Sequence, residues 1–124
     1  MLARLVLPIL ALFATTAAAP VEQRIDVVLS NFKFTPATIQ LAHGRPYVLH
    51  LSSHGGHSFA AKAFFAAATL PAADRARIKD GKIELDSGDS VDVHFVAPAP
   101  GRYPLKCTHF LHAGFGMTGS VVVR

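Results

Sequence analysis

The sequence predicts one all-β domain, an antiparallel sandwich or barrel of seven or eight short strands with a short helical insertion around 61–78. Stretches in which apolar and polar residues alternate recur along the chain, and such alternation is typical of half-buried strands. Turn-forming Gly, Pro, Asp and Ser residues separate these stretches at intervals of roughly ten residues. A chain of 124 residues has room for one such domain and not for two.

Residues 1–19 are expected to be a secretory signal peptide that precedes the domain. They begin with a positive charge, continue with an apolar run at 5–13 and end in small residues. The apolar run is too short to span a bilayer, and cleavage after Ala18 or Ala19 fits the pattern. An uncleaved membrane anchor is the alternative. With cleavage, the domain comprises residues 20–124, has no transmembrane segment, and is periplasmic or otherwise exported.

The first half of the domain contains three alternating stretches, at 24–30, 38–42 and 47–51, and each is predicted to be a strand. Phe32 and Phe34, between the first two, are two residues apart and are expected to point to one face. The third strand is expected to turn one set of side chains inward: Tyr47, Leu49 and Leu51.

The segment 61–78 interrupts the strand pattern. It is rich in alanine and is interpreted as one or two short helices, inserted between strands and not forming a second domain. Pro71 is expected near the start of the second helix, because proline is tolerated in a first helical turn.

Four further strands are predicted in the second half, at 82–85, 90–96, 102–107 and 117–123. The third of them delivers Cys107 to its end. The last is rich in valine, as expected of a strand that packs on a core.

A cluster of metal-binding residue types lies between the last two strands. Cys107, His112 and Met117 follow one another at the spacing C-x4-H-x4-M. A thiolate, two imidazoles and a weak axial thioether form the donor set of a blue-copper electron-transfer site. The fourth ligand must then be a histidine from elsewhere, and His54 and His57 are both candidates.

His109 is the other histidine of the Cys107 loop. It lies two residues from Cys107, which is a short reach for both side chains to meet one metal. The longer loop to His112 can fold back, so His112 is preferred. His54 and His109 are expected to be exposed near the site or to assist metal loading.

The composition excludes some functions and favours others. The net charge of +4 becomes +3 without Arg4, and the cationic residues form no run, so no nucleic-acid surface is expected. A single cysteine cannot form an internal disulfide, and a free thiol in an oxidising compartment is a liability unless a metal holds it. A monomer is expected.

These residues together resemble the cupredoxins, the small blue-copper proteins with a Greek-key β-sandwich. The N-terminal half of the family is matched by residues 31–36, Gly44 and the segment 57–59. The C-terminal half is matched by residues 103–107, then His112, Met117, Gly119 and a valine-rich strand. The spacing of the ligand loop is similar to that of the rusticyanin and auracyanin type.

The resemblance implies one type 1 copper ion held by His57, Cys107, His112 and Met117. His57 is chosen over His54 because it begins a strand-like stretch, as the first ligand of the family does. The family often places asparagine after that ligand, where it ties the two ligand loops together, whereas this chain has Ser58.

The resemblance also implies a function. The chain is expected to carry single electrons between protein redox partners, and not to be an enzyme. A copper-binding or delivery protein without an electron-carrier role is the main alternative, followed by a small copper enzyme and a metal-free interaction domain. Four residues are candidates for the apolar surroundings of the copper or for a docking patch: Phe59, Phe110, Leu111 and Phe115.

Overall fold

The structure, a computed structural model, describes residues 2–5, 8–16 and 21–124. Within these ranges the chain forms nine strands, two short α-helices and one 3₁₀ turn. The strands are β1 (Gln23–Ser30), β2 (Lys33–Thr35), β3 (Thr38–Leu41), β4 (Pro46–Ser53), β5 (His57–Ala60), β6 (Lys82–Leu85), β7 (Ser90–Val96), β8 (Gly101–Lys106) and β9 (Thr118–Val123). The helices are α1 (Lys62–Ala67) and α2 (Ala72–Arg75), and the 3₁₀ turn is Ala113–Phe115.

The strands form two sheets, which confirms the predicted β-sandwich. One sheet has the order β2-β1-β4-β7 and the other the order β3-β9-β8-β5-β6. The sheets are mixed and not purely antiparallel, because β1 pairs with β4, and β3 with β9, in parallel. The chain leaves β1 through β2, crosses to the second sheet as β3 and returns as β4, and such a crossover lets two strands run in the same direction.

Residues of β4 and β7 show how the alternating pattern becomes a core. Tyr47, Leu49 and Leu51 are buried as predicted, and Val93 and Phe95 are buried beside them. The register pairs Tyr47 with Phe95 and Leu49 with Val93, and the Tyr47 and Phe95 rings stack at 5.6 Å. Each large apolar side chain buried in this way contributes about 1.5–3 kcal/mol.

The expectation that Phe32 and Phe34 share a face is wrong. Asn31 and Phe32 both have positive φ, at 49° and 58°, and form a turn between β1 and β2. The alternation of a strand therefore does not extend back to Phe32. Phe34 is buried in β2, whereas Phe32 is exposed.

The predicted helical insertion is present between β5 and β6. Helix α1 buries Phe64 and Phe65, and the Phe64 ring meets the edge of the Phe95 ring at 5.2 Å. Pro71 is the N-cap of α2, close to its predicted place. The insertion closes one side of the core and belongs to the same domain.

The described residues before the domain, 2–5 and 8–16, contain no helix or strand. The predicted cleavage point after Ala18 or Ala19 lies outside the described residues. Across the described ranges, no helix has the length and apolarity needed to cross a membrane.

Candidate metal centre

The sheet of β5, β8 and β9 brings the predicted ligands to one end of the sandwich. His57 is the first residue of β5, Cys107 directly follows β8, and Met117 directly precedes β9. Ala60 of β5 pairs with Lys106 of β8 in antiparallel fashion, so β5 extends beyond the end of β8 toward the loop that follows it. The local strand register therefore places His57 beside the Cys107 loop.

Three candidate donor atoms converge there. The Nδ1 atoms of His57 and His112 lie 3.2 Å apart, and the Cys107 sulfur lies 3.5 Å from His112 Nδ1. The donor atoms of His57, Cys107 and His112 all lie within 4.8 Å of one another. Metal–nitrogen and metal–thiolate bonds of about 2.0–2.3 Å in a trigonal plane would separate the donors by about 3.5–3.8 Å. The donor cluster therefore fits one metal ion.

The His57 ring is held with its Nδ1 free to bind a metal. Its Nε2 lies 3.2 Å from the carbonyl oxygen of His54, and because a carbonyl only accepts, Nε2 carries the proton and donates. The ring is only 6% exposed. Burial, followed by the nearby His112, lowers the pKa of His57 below its ordinary value. A neutral ring with an unprotonated Nδ1 is the form that metals bind.

The Cys107 side chain is 1% exposed and faces hydrogen-bond donors. The backbone N–H of Ser58 donates to its sulfur at 3.4 Å, and the Ser58 hydroxyl lies 3.8 Å from the same sulfur. Donors directed at a thiolate stabilise its negative charge. The thiolate is a soft ligand that favours copper over hard cations such as magnesium or calcium.

Ser58 also joins the two ligand loops. The Thr108 N–H donates to the Ser58 hydroxyl oxygen at 2.8 Å, and the two hydroxyls lie 2.8 Å apart. Ser58 is completely buried, whereas Thr108 is exposed, so these bonds lie at the boundary between core and surface. The serine thus makes the connection between loops for which the resemblance indicates an asparagine.

Met117 closes the loop through its backbone. The Cys107 N–H donates to the Met117 carbonyl at 3.1 Å, and the Met117 N–H donates to the His112 carbonyl at 3.0 Å. The Met117 side chain is completely buried. Two backbone hydrogen bonds therefore fix the three ligand-bearing positions of this loop relative to one another.

The remaining two histidines near the site have different environments. His54 is exposed and contributes its carbonyl to His57. His109 is half-buried, and its Nε2 lies 2.8 Å from a carboxylate oxygen of Glu84. Neither belongs to the group of three converging donors.

The large apolar residues in and near the ligand loops are partly buried and partly exposed. Phe59 is 0% exposed and lies in the core, whereas Phe110 is 87% exposed, and Leu111 and Phe115 are also exposed. Of these four residues, Phe59 alone is therefore part of the apolar interior. Phe32, which the sequence did not indicate, meets the His112 ring edge-on at 4.8 Å.

A β-sandwich with two imidazoles and a thiol converging at one end is a cupredoxin, and its cofactor is copper. A family model described as copper binding proteins, plastocyanin/azurin family, matches residues 21–124. The chain belongs to this family. No curated protein matches the chain.

Solved structures of similar fold include three auracyanins. Auracyanin B has a TM-score of 0.60 at 20% identity, covering 88% of this chain and 93% of its own. A reduced auracyanin from Roseiflexus castenholzii has a TM-score of 0.59 at 18% identity, covering 83% and 98%. Auracyanin A, a "blue" copper protein from Chloroflexus aurantiacus, has a TM-score of 0.58 at 19% identity, covering 86% and 100%. At these identities the likeness shows the fold.

Proposed function

We propose that the protein is a carrier of single electrons, and that His57, Cys107, His112 and, more weakly, Met117 would hold one copper ion. The observation that supports this proposal most is the separation of 3.2–3.5 Å between the His112 Nδ1 and the other two donor atoms. When bound, the copper supplies a Cu(I)/Cu(II) couple.

The role of the surrounding residues is to keep the donors in place in both oxidation states. His57 is oriented by the His54 carbonyl, and the Cys107 loop is closed by backbone hydrogen bonds. The hydrogen bonds between Ser58 and Thr108 hold the two loops at a constant separation. Little has to move when the charge on the metal changes, and a carrier needs this rigidity for fast electron exchange.

Electrons would leave or arrive on the His112 side. The Phe32 ring meets the His112 ring at 4.8 Å and the Phe115 ring at 5.5 Å. Phe110 and Leu111 directly precede His112 in the loop, and all four side chains are exposed: Phe32, Phe110, Leu111 and Phe115. Exposed apolar side chains that lie together mark contact surfaces between proteins. We call these four residues the apolar rim, and we propose that a protein redox partner docks on it.

The N-terminal residues bear on the cellular location of the protein. We propose that residues 1–19 are a signal peptide, that residues 20–124 form the mature domain, and that the domain is an exported, periplasmic monomer. N-terminal sequencing of the exported protein tests the first part, because a first residue of Met1 would contradict cleavage.

Voltammetry tests the carrier role. The copper-loaded protein is expected to give a reversible one-electron wave, and Cys107→Ser is expected to give none, since it lacks the thiolate. A folded, copper-loaded wild type without a reversible wave would contradict the proposal.

A copper-delivery role is the second candidate, and the position of His109 beside the donor cluster favours it. The rings of His109 and His112 lie 5.3 Å apart. Rapid loss of copper to a chelator would support delivery, whereas retention with intense thiolate-to-copper absorption would support the carrier.

A further inference from the structure

Two of the three donors are hard to reach from solvent. His57 and Cys107 are buried, and the Phe59 side of the cluster is closed by the core. An ion from solution therefore reaches them past the exposed loops that carry the donors, residues 54–56 and 107–112. A residue on these loops with a metal-binding side chain can contact the ion before the buried donors do.

His109 has this position. Its side chain is 32% exposed, so it is reached by solvent. Its ring centroid lies 5.3 Å from that of His112 and 6.4 Å from that of His57, with interplanar angles of 39° and 40°. It is thus a third imidazole next to both ligand imidazoles, on the accessible side of the cluster.

A carboxylate fixes the ring in a form that can bind metal. The His109 Nε2 lies 2.8 Å from a Glu84 carboxylate oxygen, so Nε2 carries a proton and donates to it. In the neutral ring the lone pair is then on Nδ1. A histidine that donates one ring N–H to a carboxylate is a common arrangement at metal sites, because it orients the ring and makes the other nitrogen more basic.

The Nδ1 edge of His109 faces the backbone of Gly56, where no side chain stands. A β-carbon at Gly56 would lie 3.5 Å from His109 Cε1 and 4.0 Å from Nδ1. Since glycine has no β-carbon, no side chain of residue 56 lies against this edge.

We propose that His109 is a capture ligand that binds a copper ion from solution and transfers it to the donor cluster. This inference rests on the proposed copper site. His109 would hold the ion through Nδ1 and release it as His112 and His57 bind. Cys107 then binds with loss of its thiol proton to water, and no oxidation state has to change.

His54 provides the matched control. It is also an exposed histidine next to His57, but among the described residues its ring makes no aromatic contact with the cluster, whereas His109 makes two. His54→Ala leaves in place the backbone carbonyl that orients His57.

Stopped-flow mixing of the copper-free protein with cupric ion tests the proposal. The thiolate-to-copper absorption gives both the rate of uptake and the final spectrum. We expect His109→Ala to slow uptake by about tenfold, the lower end of the effect of removing outer partners of metal sites, and to reach the wild-type spectrum. His109→Asn, which keeps a polar side chain, should be slow as well, and His54→Ala should load at the wild-type rate.

Uptake at the wild-type rate by a folded His109→Ala variant would overturn the proposal. Equal slowing by His54→Ala would do the same, as would a changed final spectrum in His109→Ala, which would make His109 a permanent ligand. A wild type that never develops the absorption would contradict the proposed copper site itself, which is a different result from a rate that does not depend on His109.

Discussion

The two candidate histidine ligands lie in opposite surroundings. His57 begins a strand, is buried, and donates to a backbone carbonyl. His112 lies in a loop, is half-buried, and has the apolar rim around it. One side of the cluster is therefore part of the core, and the other side is part of the surface.

This difference separates two tasks. The His57 side, with Phe59 and Ser58, fixes the position of the donors through packing and buried hydrogen bonds. The His112 side is where we propose that a partner protein docks and that the metal enters through His109. The predictions below test whether the two sides behave so differently.

The largest expected effect is the loss of the copper absorption when the imidazole ring of His57 or of His112 is removed. Both His57→Gly and His112→Gly should lose the wild-type absorption of the copper-loaded protein. Free imidazole should restore it in His112→Gly, because that side opens to solvent, and should restore much less in His57→Gly. Equal rescue of the two variants would show that the two sides are equally accessible.

Removing one phenylalanine ring from each side compares how much the two sides contribute to the free energy of unfolding. Phe59→Ala should lower the free energy of unfolding by about 3–5 kcal/mol, since it empties a fully buried position. Phe110→Ala should change it by no more than about 0.5 kcal/mol, since this ring is exposed. Urea unfolding of the copper-free proteins measures both, and a large loss for Phe110→Ala would contradict the assignment of Phe110 to the surface.

The connection between the ligand loops should have an intermediate effect. Ser58→Ala removes the acceptor of the Thr108 N–H and should lower the free energy of unfolding by about 1–3 kcal/mol. The variant should also lose copper faster to a chelator. Ser90→Ala, at an exposed serine of β7, is the control and should change neither quantity. An unchanged Ser58→Ala variant would mean that the loops are held by other contacts.

The smallest expected effect concerns protonation of the copper-free protein. Burial lowers the pKa of His57, whereas Glu22, hydrogen-bonded to the exposed His94, raises the pKa of His94. NMR titration should place the two pKa values below and above about 6.5. Glu22→Gln should bring the pKa of His94 back toward that value and leave His57 unchanged.

The two shifts affect stability with opposite signs. Below about pH 6.5, His57 of the unfolded chain is protonated, whereas His57 of the folded protein stays neutral because its pKa is lowered. The folded state therefore loses stability as the pH falls. Folded His94 binds its proton more tightly than the unfolded chain does. Its contribution is complete at low pH and is lost as the pH rises through its raised pKa. If the pKa values of His57 and His94 were both raised or both lowered, the contrast between the buried and the exposed histidine would be contradicted.

Much of the fold could be predicted from the sequence because strand periodicity is local. The pattern of 90–96 corresponds to β7 and that of 82–85 to β6. The parallel pairing of β1 with β4 was not predictable in this way, since it depends on the path taken by the two strands between them. Phe32 was misjudged because two residues with positive φ end the alternation.

The ligands of the candidate site could be predicted from the sequence, whereas the contacts around them could not. Residue types and spacing indicated Cys107, His112 and Met117, and the resemblance indicated His57. The contact of Phe32 with His112 and the bond of Glu84 to His109 join positions far apart in the chain, and no local pattern signals them. The exposure of Phe110 is also a property of the folded loop and not of its composition.

A visible absorption titration of the copper-free protein with cupric ion tests the central claim most directly. If His57, Cys107 and His112 hold one copper ion, an intense thiolate-to-copper band should grow until one equivalent has been added and should be missing in Cys107→Ser. A folded wild-type protein that develops no such band, or that needs more than one equivalent to saturate it, would contradict the account.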